Sequence, residues 1–285
     1  MALYLRLPAT AGFHIDDKII VIKAFNANEA EQSLFGQNVN IIASGPSIKQ
    51  LPLSKLLDTP TIFVNGSISL TEHHDFEHIA GYVISDAHFI HHQPKILHQH
   101  YSGQPLYATL AVFEAMATTY PDVMRTYHHA MRVVYPVDRP WGVKANKFSF
   151  NKLIFNKKQL NKKKPLSYFI NHPNFVIESR HSTAEIGVSL NITHGFVEAG
   201  TVASVATQLA FSRHAATIHL YGIDLLNSDQ PRFYENNSNR VPTTLNKVMN
   251  ERIVPSFNLL GRTYKAHGVD VINHSPVSKT LFDTI

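Results

Sequence analysis

Short apolar runs that break off into small polar residues recur along this chain. Asn40-Ile41-Ile42-Ala43 runs into the corner Ser44-Gly45-Pro46-Ser47, Thr61-Ile62-Phe63-Val64 into Asn65-Gly66-Ser67, and Tyr82-Val83-Ile84 into Ser85-Asp86-Ala87-His88. Apolar runs of this length and flanking read as strands buried on both faces of a parallel sheet. After the first corner, Ile48, Leu51, Leu53 and Leu56 fall at helical spacing and predict a helix over 48–57. Upstream, Lys18-Ile19-Ile20-Val21-Ile22 predicts a first strand, as an added hairpin or edge strand, and 28–35 a short helix stopped by Gly36.

Downstream, 106–131 is strand-like and then helical over 110–116 and 123–131. The loop Gly195-Phe196-Val197-Glu198-Ala199-Gly200-Thr201 precedes an Ala- and Val-rich helix over 202–212. A strand over 217–221 ends in Gly222-Ile223-Asp224. Residues 244–264 read as mainly helical, kinked or split at Pro255, with Gly268 as terminator. Val269-Asp270-Val271-Ile272 is a last strand ending in Asn273-His274-Ser275-Pro276. Strands alternating with helices predict an α/β fold: a single Rossmann-like, mostly parallel sheet with flanking helices. In such a sheet the polar strand ends line up along the carboxyl edge, where ligands bind.

The corner Ser44-Gly45-Pro46-Ser47 is the strand, turn and helix start that presents backbone N–H groups to an anion, with Ser47 placed to cap the helix. It lacks the Gly-Lys-Ser/Thr of a P-loop and the spaced glycines of a dinucleotide site, so alone it reads equally well as a ligand-free turn.

With 285 residues, the chain can bury a large core as one α/β domain over 1–285, or as a domain plus a smaller subdomain. A mean hydropathy of -0.11 and the lack of a long apolar run predict no membrane span. The opening Met1-Ala2-Leu3-Tyr4-Leu5-Arg6-Leu7-Pro8 is too short and interrupted for a signal peptide. No Cys is present, which rules out disulfides and thiolate metal sites and fits a reducing compartment. A net charge of +5 points to an acidic partner: a nucleotide, a phosphorylated glycan or a membrane surface.

Much of that charge lies in 138–178. No acidic residue falls between Asp138 and Glu178, while Arg139, Lys144, Lys147, Lys152, Lys157, Lys158, Lys162, Lys163 and Lys164 alternate there with aromatic side chains. The block reads either as a solvated surface insertion or as a flap toward an anionic acceptor or lipid headgroups. No nucleic-acid-binding module accompanies it, so no nucleic-acid partner is expected.

Two histidine groups, His73-His74 with His78 and His88 with His91-His92, have spacings that could share a helical face, but without Cys or a firm helix they predict no metal site. Asp75-Phe76-Glu77 looks like a metal-binding Asp-x-Asp but follows no convincing strand, and no Gly-x-Ser-x-Gly elbow occurs. The strand ends offer mostly neutral hydrogen-bonding groups and two carboxylates, a set suited to a base, a ribose and one phosphate.

Gly45-Pro46-Ser47, Asn65-Gly66-Ser67, Ser85-Asp86-Ala87-His88-Phe89, Gly222-Ile223-Asp224-Leu225 and Pro231-Arg232-Phe233-Tyr234-Glu235 together resemble the lipopolysaccharide-core Kdo transferases, enterobacterial enzymes that add a third Kdo to the inner core. The match runs in order from about Asn40 to Leu259 and is weakest in the basic insertion. More distantly the same skeleton is similar to bacterial sialyltransferases of the family containing the Campylobacter lipooligosaccharide enzymes. The resemblance implies a GT-A-like glycosyltransferase that moves Kdo from CMP-Kdo to a lipopolysaccharide or lipooligosaccharide inner-core acceptor. It implies no required cofactor, with a divalent ion at most stimulatory, because a departing CMP can be stabilised by protein hydrogen bonds.

By that similarity Ser44, Gly45, Pro46, Ser47, Asn65, Gly66 and Ser67 would contact CMP, and Gly200, Thr201, Gly222 and Asp224 would hold it from the far side. Tyr234 falls near the tyrosine that steadies the leaving phosphate, and Arg232 suits a phosphate or sugar carboxylate. The sialyltransferases use a His base between the tyrosine loop and the last long helix, yet 236–262 here contains no His. Asp86 and Glu235 are the first candidates for the base, followed by His88 and His274. Two alternatives stay open: a CMP-sialic acid-dependent sialyltransferase, and a non-catalytic nucleotide-binding protein. The expected location is cytoplasmic and peripheral at the inner membrane, the basic insertion approaching lipid A or core.

Overall fold

The structure, a computed structural model, describes residues 7–29, 33–142, 164–179, 185–227, 229–236, 238, 240 and 245–285. The central part of the basic insertion lies outside them. Eleven strands are described: β1 (Thr10–Ile15), β2 (Lys18–Ala24), β3 (Asn38–Ile42), β4 (Thr61–Val64), β5 (Ile79–Ile84), β6 (Leu106–Ala108), β7 (Met131–Val133), β8 (Phe175–Glu178), β9 (Ile186–Ser189), β10 (Thr217–Tyr221) and β11 (Asp270–Asn273). Nine of them form one sheet in the order β1-β2-β7-β6-β5-β4-β3-β10-β11. Every pairing in it is parallel except β1 with β2, an antiparallel hairpin at one edge. β8 and β9 form a separate antiparallel pair that the apolar pattern did not predict.

The helices are α1 (Ala87–His92), α2 (Pro94–His100), α3 (Leu110–Thr119), α4 (Pro121–Tyr127), α5 (Val202–Ser212), α6 (Leu245–Val248) and α7 (Val254–Ala266). Alternation along the central strands sorts the core into two layers. Val39 and Ile41 of β3 and Ile62 and Val64 of β4 face the cluster that contains α5 and α7. Ile42 and Phe63 face the opposite cluster, which takes in residues of α1, α2, α3 and α4. Both faces of the parallel strands are therefore covered, and this is why they read as unbroken apolar runs.

Several expectations are corrected. The helix over 48–57 is instead two 3-10 turns, Pro46–Gln50 and Leu53–Lys55, because Pro52 between them cannot continue an α-helix. In place of a helix over 28–35, Ala27–Glu29 forms a 3-10 turn and Phe35 bridges to Ala215. The long C-terminal helix is divided: a π-helical turn, Met249–Ile253, stands between α6 and α7, with Pro255 in the first turn of α7. Pro255 has no N–H to donate, so the bonding pattern slips just before it. Gly268 does terminate α7, at φ +81°.

The connectivity places the ligand crevice. From β3 the chain steps through β4, β5, β6 and onward to β7 on one side, then returns to lay β10 on the other side of β3. The carboxyl ends of β3 and β10 thus diverge at a topological switch point.

Candidate active site

A cleft of about 740 Å³ opens along this carboxyl edge. It is lined by Ser44, Gly45 and Pro46 after β3, Asn65 after β4, Ser85, Asp86 and His88 after β5, and Gly222 and Asp224 after β10. Gly200 and Thr201, at the start of α5, and Arg232 complete the predicted set that reaches it. Residues read from six separate stretches of sequence therefore line one cleft.

The first corner is built by a long-range clasp. Ser47 donates its backbone N–H to Asp224 Oδ2 and its hydroxyl to Asp224 Oδ1, both at 2.7 Å, with both side chains buried. The Gly45 N–H donates to Gly222 O at 3.0 Å. A Cβ at Gly45 would overlap the Asp224 carboxylate, so only glycine lets the two loops close. Gly222 itself has φ +70°, and a Cβ there would meet Ile48 at 2.8 Å. Ser47 does not cap the turn that follows; its hydroxyl belongs to the clasp.

Ser67 is likewise structural. It is fully buried, donates to Ile42 O at 2.6 Å and accepts from the Val64 N–H at 2.9 Å, tying the ends of β3 and β4 together. Neither Ser47 nor Ser67 lines the cleft. Asn65 behaves differently. Its backbone has φ +50°, and its Oδ1 is buried at the cleft wall without a hydrogen-bond partner among the described residues. A buried acceptor left unpaired costs free energy until a ligand donor meets it.

The loop Arg232-Phe233-Tyr234-Glu235 closes over this wall. The Phe233 N–H donates to Ser44 O at 3.2 Å, and the Tyr234 hydroxyl bonds the Ser44 side chain. The Tyr234 ring lies against Gly66, where any Cβ would penetrate it. Burial, with Glu235 nearby, pushes the Tyr234 phenol well above its ordinary pKa, so it stays a protonated donor. Glu235 has a side chain only 1% exposed. It accepts from Arg232 Nη1 at 2.7 Å, from the Arg232 N–H at 3.0 Å and from Gln93 Nε2 at 3.1 Å. It orients Arg232, which reaches the cleft while Glu235 does not.

Asp86 and His88 both line the cleft and are exposed. Asp86 N-caps α1 through the His88 N–H at 2.9 Å, and the same Oδ1 lies 2.8 Å from His88 Nδ1. A carboxylate that fixes Nδ1 leaves Nε2 as the nitrogen able to take a proton. His274, the remaining candidate, stacks on Tyr221 and bonds His219 Nδ1 at 2.9 Å, away from the cleft lining. Among the described residues no group of three or more His, Asp or Glu is arranged to hold a metal ion.

One part of the cleft escaped the sequence reading. After β7, Asp138 and Arg139 meet Glu198 and Arg252. Arg252 Nη2 lies 3.1 Å from Asp138 Oδ2 and also bonds the Glu198 carbonyl. Glu198 Oε1 accepts from the Gly200 N–H at 2.6 Å. Burial pushes both carboxyls, Asp138 and Glu198, above the usual carboxylate range, against the pull of the arginines. Arg252 sits inside 236–262, a stretch weighed only for histidine. The available signal was an Arg on the start of a long helix, facing an acid in the Gly195–Gly200 loop.

The matched family model spans residues 25–284 and is described as 3-deoxy-D-manno-octulosonic acid transferase WaaZ, the Kdo III type. That span includes every cleft residue named above. The chain belongs to the WaaZ family. Two curated relatives carry the name "probable 3-deoxy-manno-octulosonic acid transferase". The one from Escherichia coli (strain K12) is 25% identical over 254 residues, covering 89% of this chain and 83% of its own length. The one from Salmonella typhimurium (strain LT2) is 25% identical over 246 residues, covering 86% and 84%.

Proposed function

We propose that the protein transfers Kdo from CMP-Kdo to an inner-core acceptor of lipopolysaccharide, with a GT-A-like use of the sheet edge. The observation that carries this reading is the coincidence of the family match with one cleft at the switch point of the sheet, lined by small hydrogen-bonding residues at the strand ends and by Arg232. In this reading the nucleotide lies on the clasped corner between β3 and β10, and Asn65 Oδ1 accepts a hydrogen bond from it. Gly200 and Thr201 approach from the start of α5. Arg232 and the protonated Tyr234 meet the phosphate.

The acceptor hydroxyl attacks the anomeric carbon of Kdo as the bond from that carbon to the phosphate oxygen breaks. CMP leaves with the bonding electrons, and its developing charge is stabilised by Arg232 and Tyr234. The hydroxyl proton passes to the Asp86–His88 pair. Of the two first candidates for the base, Asp86 reaches the cleft together with His88, and Glu235 acts by orienting Arg232. A monophosphate leaving group handled in this way needs no obligatory divalent ion.

No helix among the described residues is long and apolar enough to cross a membrane. We place the protein at the cytoplasmic face of the inner membrane as a peripheral enzyme, its net charge of +5 suited to the anionic lipid A and core. The test is to titrate the purified protein with CMP, CMP-Kdo and CMP-sialic acid and to assay transfer to deacylated inner core. CMP-Kdo binding with transfer supports the reading; preference for CMP-sialic acid replaces the donor, and binding without transfer or hydrolysis replaces the enzyme.

A further inference from the structure

Three arginines line the cleft, and two are committed. Arg232 is bound to Glu235, and Arg252 to Asp138 and the Glu198 carbonyl. Arg139 is exposed on the cleft wall and makes no hydrogen bond or ion pair among the described residues, although Asp138 and Glu198 are within its electrostatic reach. Both acids are already engaged: Asp138 by Arg252 and the Glu198 N–H, Glu198 Oε1 by the Gly200 N–H. The Arg139 guanidinium thus stands on the cleft wall with neither acid holding it through a hydrogen bond. A planar fork of this kind matches a carboxylate in bidentate fashion.

Two residues further on, Trp141 also lines the cleft. Its indole N–H donates to Pro136 O at 3.2 Å, and its ring packs 4.7 Å from that of Tyr135. The ring is thereby held as a fixed apolar platform beside a cation, the pairing that accommodates one face of a sugar ring and an acidic substituent. This end of the cleft follows β7, four strands from β3 in the sheet. Asp138 of the same stretch accepts from the Glu198 N–H, beside Gly200 and Thr201, so a sugar held here would lie next to a nucleotide bound between the Ser44 corner and the start of α5.

We propose that Arg139 and Trp141 form a second subsite, which recognises a sugar acid by its carboxylate. The proposal rests on the transferase reading above. The sugar acid is carried either by the donor or by the acceptor, and one set of measurements separates the two.

The full chain and its Arg139→Gln, Arg139→Lys and Trp141→Ala variants are titrated with free 3-deoxy-D-manno-octulosonic acid and with its methyl ester, CMP serving as a control on the same samples. The wild type is expected to prefer the acid by about tenfold or more, the worth of one charge-assisted pair. R139Q should abolish that preference and R139K retain part of it, while W141A weakens acid and ester together. In steady-state transfer, a raised acceptor KM in R139Q assigns the carboxylate to the acceptor, and a raised donor KM assigns it to the donor. An R139Q protein that folds, binds CMP and still prefers the acid overturns the proposal. A wild type that binds the acid through Arg139 but not CMP overturns the nucleotide reading instead.

Discussion

Ser47 and Asp224 lie 177 residues apart in the chain, yet two buried hydrogen bonds between them close the first corner of the cleft. The carboxylate takes the Ser47 N–H on one oxygen and the hydroxyl on the other. Replacing Asp224 with Ala should therefore cost about 3 kcal/mol, the range for losing buried charge-assisted bonds, and Asp224→Asn about half as much. Urea denaturation measures the stability, and a parallel CMP titration should show affinity falling with it. Unchanged stability in D224A would mean that the clasp does not hold the corner.

Gly66 and Tyr234 are in contact so close that no side chain fits between them. Gly66→Ala should force the Tyr234 ring away from Ser44, destabilising the fold by about 1–3 kcal/mol through overpacking. Turnover should fall further than stability does, because the displaced ring no longer holds Ser44 in place at the cleft wall. Comparing G66A with Tyr234→Phe separates these effects: Y234F keeps the packing and removes only the hydroxyl.

Asp86 and Glu235 are expected to fail in different ways. Asp86→Asn should lower kcat by about 100-fold, the lower end for loss of a general base, with donor KM nearly unchanged. Glu235→Gln should chiefly raise donor KM, because it releases Arg232 from a buried partner. Near-normal kcat in D86N would remove Asp86 from the proton path.

Stability should also respond to pH. His100, His172, His219 and His274 are each held below the ordinary value of 6.5, mainly by burial. Their folded forms bind fewer protons than the unfolded chain, so this contribution is present above pH 6.5 and is lost as pH falls through the folded values. Asp138 and Glu198 act in the opposite sense, since their raised values favour the fold as they take up protons at lower pH. The histidine share of the stability should therefore show as a fall in Tm on acidification below pH 6.5, opposed by the two carboxyls as they take up protons. His274→Gln keeps a hydrogen-bonding group beside His219 and should shrink that fall.

The central strands could be read because β3, β4 and β5 are covered on both faces, and their apolar runs state this locally. β7 and the β8–β9 pair could not: β7 has three residues, and β8 and β9 flank or lie within a stretch dominated by charge. The same distinction holds within the site. That Ser44, Asn65, Asp86 and Gly222 end at one edge follows from strand order. Which way the Ser47 hydroxyl turns is decided by Asp224, far away in sequence, and the local pattern suggests a helix cap instead. Glu235 stood inside a matched motif, but its burial beneath Arg232 depends on Gln93, and Arg252 acquires its meaning only beside Asp138 and Glu198.

The order of the strands also has a consequence for synthesis. β3 pairs with β4 on one side, but its other edge is covered only by β10, in the register Thr217 to Asn38 through Tyr221 to Ile42. On a ribosome adding about 5–20 residues per second, the ~180 residues between them take roughly 10–35 s to appear. For that interval the emerging chain carries an open, apolar strand edge at Val39, Ile41 and Ile42, the kind of edge that pairs with other chains. The half of the cleft wall made first is thus the segment most exposed to mispairing, and slowing initiation or lowering the growth temperature should raise the soluble yield.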